Sequence, residues 1–565
     1  MDTIDVGYSR RLVGPNLFFN DTGTVLDVEV TTDQDKLVIL WQDEVKRIMP
    51  VFSSLWFDYK IAYKVYQSGI RLALSAPSDI LLGACDVIDF IWASAIDRFY
   101  GGVGKTLHEA KESLLPAIQK ESNIFYRDLY QKASSLQLNV FREEDVAYIG
   151  SGIGRYKVDL NHEGVASIPW QDVFDIPQVI VTGTNGKTTT VRLIHFICQS
   201  TGKFTGYAST DWVMIGHDIV DHGDYSGPTG HQFVLTNPKV ELAVLESARG
   251  GLLKRGLVER HVSAACVTNI SADHMSEDGV ETLEDLLEAK SIVYQALGEE
   301  GYAIINLDDP FLSEKANTHI GKKIFISQHA LSTSANKLLS SNDHAFFVEG
   351  GFFCYQNQTE KKTLIAVQDV PITMKGFAKH NIENALNAMA LSFSLGCELD
   401  EITRALMQFE NSADLNLGRG NFYQLQSGAK AIVDFAHNPA SMEAILSLAK
   451  CYMTGASKLY LMIGTTGNRL NLIDDVSKVI CEYQPDKIYI KELKDYLRGA
   501  ELGEIPQKIS NSLVAHGVNN ANIQFVDNEL AGAEIVLAAL CENDVAVLCC
   551  HDNIEAVIHT VMKYV

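Results

Sequence analysis

Residues 179–196, VIVTGTNGKTTTVRLIHF, have the types and spacing of a phosphate-binding loop. Two glycines, Gly183 and Gly186, stand between a short apolar run and an amphipathic one, and Lys187 and Thr188 follow directly. A glycine turn at the start of a helix presents backbone N–H groups to an anion. The lysine adds a charge for the outer phosphates of a nucleotide, and the threonine hydroxyl offers a ligand to magnesium. The residues predicted to hold a nucleoside triphosphate are Gly183, Thr184, Asn185, Gly186, Lys187, Thr188 and Thr189.

This loop is shorter than the full P-loop pattern, because only Thr184 and Asn185 separate its glycines. A chance Gly-Lys pair in a turn is the alternative, but the flanking strand and helix patterns favour the nucleotide site. A second match, GGVGKT at 101–106, follows IDRFY and not a β-rich strand. We therefore expect that second segment to begin a helix and not to bind a nucleotide.

Acidic and imidazole side chains follow two further apolar strands. Glu246 ends LAVLES, and Asn269, Asp273 and His274 follow in VTNISADHM. Together with Thr188 they could form a magnesium shell, although magnesium prefers oxygen ligands and a histidine is unusual. An Asp-His pair alone is more typical of a solvated loop. With the phosphate loop beside it, the pattern predicts metal ligands at Thr188, Glu246 and His274.

Several residues further along the chain are weaker candidates. Lys290 lies on a predicted helix, where a surface lysine covering apolar neighbours is the simpler interpretation. His380, Asn381 and Asn384 open an Ala-rich helix, and an Asn amide can pair with a base edge, although helix capping explains one of them equally well. Four candidates open the last α/β segment, namely Arg419 for phosphate or ribose, Asp434 for a ribose hydroxyl, and His437 and Asn438 in a turn.

The elements that must position these residues alternate between strand and helix. From 171 to 412, apolar strands such as QVIVTG, LAVLES and YAIINLDD alternate with helices, which indicates a doubly wound parallel sheet. A smaller α/β alternation follows from 413 to 565, so we expect the site in the cleft between two α/β domains. Residues 1–170 form an α+β domain, with strands predicted at TVLDVEVTT and KLVILW and long helices after them.

Composition limits the partners. The net charge of −24 and pI near 5.1 disfavour nucleic-acid binding, which neutralises phosphates with Lys and Arg. No apolar run is long enough to cross a membrane, and the N-terminus has no signal-peptide core. Ten cysteines without a C-x-x-C pair are typical of reduced thiols. We therefore expect a cytoplasmic protein with no nucleic-acid or membrane partner.

Five motifs, in this order, resemble those of the Mur ligases, which are ATP-dependent amide-bond ligases. They are GTNGKTTT, LES with Glu246, TNISADHM with His274, KHNIENALNA and VDFAHNPASM, and they span roughly 170–565. The resemblance implies a central P-loop parallel-sheet domain and a smaller C-terminal α/β domain. It also implies ATP and Mg²⁺ as cofactors and an acyl-phosphate intermediate.

Within that superfamily, three segments resemble the Mur-like half of the cyanophycin synthetases: HGDYSGPTG (222–230), ESARGGLLKRGL (246–257) and DYLRGAELGE (495–504). RRLVGPNLF (10–18) resembles the start of their N-terminal domain. Those enzymes carry an ATP-grasp domain between the two parts. Here about 150 residues separate GPNLF from the Mur-like part, too few for both domains. We therefore expect the ATP-grasp chemistry to be missing.

The resemblance also implies roles for individual residues. Lys187 would bind the β- and γ-phosphates, Thr188 and Glu246 one magnesium, and His274 a second. Lys290 falls where many Mur ligases carry a carbamylated lysine, which makes a functional role as plausible as a surface one. The remaining positions are His380, Asn381 and Asn384 for adenine, Arg419 and Asp434 for phosphate and ribose, His437 with Asn438 for the acyl phosphate, and Arg249, Arg255 and Arg498 for acidic substrate groups.

The implied function is an ADP-forming ligase that joins an amine, such as arginine or lysine, to an acidic amino-acid or peptide carboxylate. Two alternatives stay open: a nucleotide-binding regulator or partner subunit of a ligase complex, and a peptidoglycan-precursor or folylpolyglutamate-type ligase. Residues 1–170 leave open peptide binding, a homo-oligomer, or recruitment of a partner ATP-grasp enzyme.

Overall fold

The computed structural model describes residues 5–56, 58–161, 164–273, 275 and 277–565. Its strands form a long central sheet, a C-terminal sheet and two smaller antiparallel sheets in the N-terminal part. This arrangement confirms the predicted α/β fold with an α+β portion before it. Within the described part of the chain, no helix has the length and apolar character needed to cross a membrane.

The N-terminal part packs long helices on one antiparallel sheet and adds a second, small sheet. Its elements are β1 Asp5–Val6, β2 Arg10–Leu12, β3 Gly23–Glu29, α1 Gln34–Ile48, β4 Ile61–Tyr66, β5 Gly69–Ser75, α2 Leu81–Phe99, α3 Leu107–Ser113, α4 Leu115–Glu121, α5 Ile124–Ser135, β6 Val140–Glu143, β7 Val146–Ile149 and β8 Tyr156–Asp159. The larger sheet has the order β1-β3-β5-β4, with β2 paired to β3.

One predicted strand of this part is wrong. The KLVILW segment lies inside α1, where Leu37, Val38 and Trp41 are buried on one face together with Val45 and Ile48. These positions recur at helical spacing and pack against α2 and the sheet. A short apolar run is compatible with either element, and tertiary packing decides between them. The other predicted strand, TVLDVEVTT, is β3.

The central part is built on a mixed sheet with parallel strands in its middle. Its elements are β9 Gln178–Thr182, α6 Lys187–Ser200, β10 Thr205–Ala208, β11 Trp212–Ile215, β12 Asp218–His222, α7 Pro228–Leu235, β13 Leu242–Glu246, α8 Arg249–Arg255, β14 Val262–Val267, α9 Leu283–Ser291, β15 Leu297–Asn306, α10 Pro310–Ser313, α11 Lys315–Thr318, β16 Lys322–Ser327, α12 Thr333–Leu338, β17 His344–Glu349, β18 Phe352–Gln356, β19 Lys361–Ala366, α13 Lys379–Ser394, α14 Leu399–Gln408 and α15 Ala413–Asn416.

The strand order of this sheet is β12-β11-β10-β13-β9-β14-β15-β16-β17-β18-β19. Strands β10, β13, β9, β14, β15, β16 and β17 run parallel, and the outer strands are antiparallel. Helices α6 and α13 pack together on one face, while α7, α8 and α9 contribute to the core on the other. Because β9 lies between β13 and β14, the loops that follow these three strands meet at one edge.

The C-terminal part has a second, smaller parallel sheet with one antiparallel edge strand. Its elements are β20 Arg419–Gln424, β21 Lys430–Asp434, α16 Pro439–Cys451, β22 Leu459–Ile463, α17 Ile473–Tyr483, β23 Lys487–Lys491, α18 Glu504–Ala515, β24 Ile523–Val526, α19 Glu529–Ala539, β25 Val545–Cys549 and α20 Ile554–Met562. The order is β20-β21-β25-β22-β23-β24. Apolar side chains cover both faces of this sheet.

Candidate functional site

A cleft with about 840 Å³ of open space lies between the central and C-terminal sheets. The loops that follow β9, β13 and β21 line it, so the carboxyl ends of strands from both sheets face the same space. The predicted residues that line the cleft are Gly183, Thr184, Asn185, Gly186, Lys187, Thr188, Thr189, Glu246, Arg249, Lys290, His380, Asn381, Asn384, Arg419, Asp434, His437 and Arg498.

The predicted loop leads from β9 into α6, and its glycines are required by space and backbone conformation. Gly183 has φ +145°, and a Cβ there would lie 1.8 Å from the Thr268 hydroxyl oxygen. Gly186 has φ +83°, and a Cβ there would lie 2.1 Å from the Asn384 amide oxygen. Both glycines thus let the loop press against neighbouring side chains. The first turn of α6, which has N–H groups without intrahelical partners, then opens towards the cleft.

Two lysines converge on the carbonyl oxygens of this loop. Lys187 Nζ donates to the carbonyl oxygens of Gly183 and Thr184 at 3.1 and 3.0 Å, and Lys290 Nζ donates to Gly183 at 2.7 Å. Lys290 is only 4% exposed, so the surface interpretation of this residue is wrong. Burial, and then the charge of Lys187, lower the pKa of Lys290 well below its ordinary value. A larger fraction of this amine is therefore uncharged than in an exposed lysine.

Glu246 and Thr188 supply oxygen atoms to the same wall. Glu246 is fully buried, and its carboxylate accepts from the Thr210 hydroxyl at 2.7 Å. Hydroxyl and carboxylate oxygens fit Mg²⁺, which would keep waters and nucleotide oxygens as its other ligands. Among the residues described, His, Cys, Asp and Glu form no metal-holding group of three. The predicted ligand His274 lies outside the described residues.

The backbone of Glu246 also contacts a buried histidine, His231. A ring nitrogen of His231 lies 2.7 Å from the Glu246 carbonyl oxygen, and the other ring nitrogen lies 2.5 Å from the Glu259 carboxylate. His231 and Glu259 are both buried. Burial lowers the pKa of His231, but the charge of Glu259 and the hydrogen bonds to Glu259 and the Glu246 carbonyl together outweigh it, so the net shift is upward.

The first turns of α13 form the wall beside the loop, but part of their polar surface is already engaged. Asn381 donates to the Ile372 carbonyl at 3.0 Å, and Asn384 donates to Asn381 at 3.0 Å. The Asn384 amide oxygen packs on Gly186. Burial lowers the pKa of His380 to about 4, so this imidazole is neutral and suited to a base edge.

On the C-terminal side, Arg419 and Asp434 face each other across the antiparallel pair β20–β21. Burial raises the pKa of Asp434 to about 6, although the charge of Arg419 acts against this shift. Arg419 also lies over the Phe435 ring, 4.6 Å from its centroid, and 3.3 Å from the Asp211 carboxylate. Asp211 belongs to the central part, so this ion pair joins the central and C-terminal parts.

His437 and Asn438 of the C-terminal part also contact residues of the central part. His437 Nε2 lies 3.4 Å from the Asp273 carboxylate, which in turn lies 3.5 Å from Arg469 Nε. Asn438 contacts Asn185 of the phosphate loop through both amide groups, at 2.9 and 3.3 Å. Asn438 is buried beside the cleft and accepts from the Ser441 N–H as the N-cap of α16.

The three predicted substrate arginines differ in position. Arg249 donates to the Glu277 carbonyl at 3.0 Å and lies 3.3 Å from the Asp278 carboxylate, at the cleft wall. Arg498 is exposed at the cleft rim. Arg255 is not brought to the cleft, because it ends α8 six residues after Arg249, on another side of the helix.

Arg255 points instead towards the N-terminal part. Its carbonyl oxygen accepts from the Val13 N–H at 2.9 Å, and the charge of Arg11 lies close enough to affect it. Burial, and then Arg11, lower the pKa of Arg255. A substrate contact is therefore not supported for this residue.

Three cleft residues have roles that the sequence did not reveal. Asn269 grips the loop, because it accepts from the Asn185 N–H at 3.0 Å and donates to the Asn185 carbonyl at 3.2 Å. Glu383 accepts from Asn269 at 2.7 Å, and burial raises the pKa of Glu383 to about 7. Arg469 follows β22. The signal that could have identified Arg469 was its position just after a strand, in GTTGNR. The signal for Glu383 was its position within the KHNIENALNA motif.

The second glycine-rich segment, GGVGKT, begins a helix as expected. The Gly104 N–H donates to the Asp97 carboxylate at 2.8 Å, and the Lys105 N–H donates to the Ser94 hydroxyl at 2.7 Å. Thr106 then forms a capping box with Glu109 at the start of α3. The loop amides are thus bound within the protein and not presented to a ligand.

Comparisons with known proteins agree with this geometry. Residues 181–392 match the Mur ligase middle domain, and residues 418–550 match the Mur ligase glutamate ligase domain. The chain belongs to the Mur ligase family. The two matched ranges are the parts that carry the phosphate loop and the C-terminal wall of the cleft.

The relatives of this Mur ligase chain include cyanophycin synthetases. That of Geminocystis herdmanii is 33% identical over 356 residues, which cover 62% of this chain and 40% of the relative. The matched part of this chain thus spans less than half of that relative's length. A UDP-N-acetylmuramoyl-L-alanyl-D-glutamate--2,6-diaminopimelate ligase of Chlorobaculum tepidum is 29% identical over 301 residues, 51% of this chain and 56% of the relative.

Solved structures agree on the fold. The E. coli FolC structure in complex with ADP, without folate substrate, has a TM-score of 0.50 at 17% identity. The match covers 68% of this chain and 89% of that chain. At this identity the likeness concerns the Mur ligase-like α/β fold alone.

Proposed function

We propose that this Mur ligase is an ATP-dependent amide-bond ligase that forms ADP through an acyl phosphate. Residues 171–412 would bind ATP, and residues 413–565 would close over the reacting groups. The observation that carries the proposal is the convergence of a glycine-lysine loop, a buried carboxylate and two lysines with C-terminal polar residues in one cleft. The named relatives, which are synthetases and ligases, support the same reaction class.

The first step would transfer the γ-phosphoryl group of ATP to a substrate carboxylate. An oxygen of the carboxylate bonds to phosphorus, the bond to the β-phosphate oxygen breaks, and ADP leaves. Lys187 and the first turn of α6 would neutralise and orient the transferred group, which phosphoryl transfer needs more than covalent assistance. Mg²⁺ held by Thr188 and Glu246 would supply further charge neutralisation. His380 and α13 would hold the base.

The second step would be attack by an amine on the activated carbonyl carbon. The new C–N bond forms, inorganic phosphate leaves with the C–O bond electrons, and the amine loses a proton. His437, beside Asp273, would orient the acyl phosphate at the C-terminal wall. The contacts Asn185–Asn438 and Arg419–Asp211 already bring the two walls together, which would exclude water from the intermediate.

We further propose an acidic amino-acid or peptide acceptor and a basic amine. In a chain of net charge −24, the cleft gathers cations suited to carboxylates. Asp224 and Glu277 line the same cleft and suit a cationic amine. The cations are Lys187, Arg249, Lys254, Arg419, Arg469 and Arg498.

The test is phosphate release from Mg²⁺-ATP with a matrix of aspartyl peptides and amines, including arginine, lysine and ornithine, with products identified by mass spectrometry. We expect a product whose mass equals acceptor plus amine minus water, dependent on both partners. Lys187→Ala and Glu246→Ala should each reduce turnover at least about 100-fold, because charged contacts to the phosphates and the metal are lost. Exposed Lys203→Ala is the matched control and should retain full activity.

Other outcomes separate the alternatives. Full activity in Lys187→Ala would remove the phosphate-site assignment. ATP binding with no product across the matrix would favour a nucleotide-binding regulator or a partner subunit. Turnover only with peptidoglycan precursors or folates would favour the third alternative.

A further inference from the structure

The β4–β5 hairpin of the N-terminal part reaches the wall of the cleft. Lys64 Nζ on β4 lies 2.8 Å from the Asp285 carboxylate and 2.6 Å from the Glu288 carboxylate, both on α9. The Gln67 N–H in the hairpin turn donates to the Glu281 carboxylate at 2.7 Å. The hairpin therefore holds both the start of α9, the helix that carries Lys290, and the loop that precedes it.

Packing joins the same surfaces. We call residues 277–282 the cleft loop. Gly279 in this loop has φ +70°, and a Cβ on it would lie 2.9 Å from the Tyr66 ring of the hairpin. The space enclosed between Lys64, Tyr66, Asp278 and Gly279 is about 10 Å³, close to the minimum for one water molecule. The hairpin and the cleft loop thus fit together with almost no gap.

The opposite side of the cleft loop holds cations of the site. The Asp278 carboxylate lies 3.0 Å from Lys254 Nζ and 3.3 Å from Arg249 Nη2, and the Glu277 carboxylate lies 3.1 Å from Arg249 Nη2. All four of these residues line the cleft. Asp278 has φ +53°, a left-handed conformation that a non-glycine residue adopts only when its surroundings hold it. The cleft loop therefore lies between the hairpin and the substrate side of the site.

We infer that the β4–β5 hairpin is a positioning element for the substrate half of the cleft, with Lys64 as its principal positioning residue. By holding the cleft loop and α9, it sets the orientation of Arg249 and Lys254 towards an acidic acceptor. This role rests on the proposed ligase function for its kinetic consequence, but not for its structural one. It gives the N-terminal part a function in acceptor affinity that is separate from ATP binding.

The structural test is hydrogen–deuterium exchange of the full-length chain. Lys64→Met keeps the aliphatic stem but loses both ion pairs, so we expect amide exchange over 277–291 to be roughly fivefold faster. Lys64→Arg should restore near wild-type exchange. Lys60→Met, which loses an exposed pair with Asp21 inside the N-terminal part, is the matched control and should leave 277–291 unchanged.

The kinetic test measures half-saturating concentrations in the ligase assay. Lys64→Met should raise that of the acceptor roughly fivefold and change that of ATP less than about twofold, because the carboxylates that Lys64 binds lie on α9 and not on α6 or α13. Glu288→Gln removes the Lys64–Glu288 ion pair by changing the carboxylate. This variant is informative even if Lys64→Met does not fold. It should shift amide exchange and the acceptor half-saturation in the same direction as Lys64→Met.

Unchanged exchange over 277–291 in Lys64→Met and Glu288→Gln would overturn the positioning role. Equal changes in the acceptor and ATP half-saturations would overturn it too, because they indicate general destabilisation. Faster exchange in a protein whose wild type shows no acceptor-dependent turnover would support the positioning role while refuting the proposed ligase function.

Discussion

Asn185 of the phosphate loop and Asn438 at the start of α16 face each other across the cleft and share two amide hydrogen bonds. Asn438 Nδ2 donates to Asn185 Oδ1 at 2.9 Å, and Asn185 Nδ2 donates to Asn438 Oδ1 at 3.3 Å. Asn269 holds the backbone of Asn185 from behind, and Glu383 holds Asn269. A continuous set of hydrogen bonds thus runs from α13 through the phosphate loop to the start of α16.

Loss of this contact should slow turnover and leave stability nearly unchanged. Asn438→Ser keeps an N-cap acceptor for α16 but is too short to reach the Asn185 amide, so unfolding free energy should change by less than about 1 kcal/mol. Turnover should fall roughly fivefold to tenfold, since one interdomain hydrogen bond contributes about 1 kcal/mol. The rate of phosphate release measures turnover, and urea unfolding measures the free energy of unfolding. Asn553→Ser, the same change at the N-cap of α20, should leave turnover at the wild-type rate; equal losses would contradict the interdomain role.

Lys290 should react with dissolved carbon dioxide. Burial and the charge of Lys187 lower its pKa, which increases the fraction of uncharged amine that can form an N–C bond to CO₂ and release a proton. ¹³C NMR in labelled bicarbonate should show one slowly exchanging carbamate signal that Lys290→Met lacks. Lys337→Met, on α12, should keep the signal. A signal that persists in Lys290→Met would assign the carbamate elsewhere, and no signal in wild type would show that the amine stays unmodified.

Arg498 should act on the substrate and not on ATP. Its side chain is exposed at the cleft rim, where a charged hydrogen bond to a carboxylate is worth about 1.5–3 kcal/mol. Arg498→Ala should therefore raise the half-saturating concentration of the acceptor at least about tenfold and leave that of ATP unchanged. Exposed Arg404→Ala on α14 is the control. An effect confined to ATP would count against the substrate role.

Glu383 should make the folded state less stable as pH rises. Burial raises its pKa from 4.5 to about 7, so between these values the unfolded chain has lost a proton that the folded chain keeps. Unfolding free energy then falls with pH across this window, by on the order of 2 kcal/mol, and is constant above it. Urea unfolding at about pH 5 and about pH 8 should show a smaller decrease for Glu383→Gln than for wild type. The same decrease in both proteins would show that Glu383 ionises normally.

Local patterns in the sequence were sufficient for much of the fold and part of the site. The strand-loop-helix around Gly183 to Lys187, the strand that ends at Glu246 and the alternation of the C-terminal part depend on nearest neighbours and periodicity, which are written locally. The strand predicted at KLVILW was wrong because a short apolar run fits either a strand or a helix. Packing against α2, which is not a local feature of the sequence, selects the helix. His380 and Asn384 were found as a motif, although their hydrogen bonds were not.

The sequence alone determined the family, the phosphate loop and the residues that could bind a nucleotide. Tertiary structure decided which side chains meet, because those pairs are distant along the chain: Lys290 lies 107 residues from Gly183, and Lys64 lies 221 residues from Asp285. Burial lowered the pKa of Lys290, and the turn of α8 directed Arg249 to the cleft and Arg255 away from it. Strand order and helix packing set these distances and exposures, and neither is encoded in any short segment.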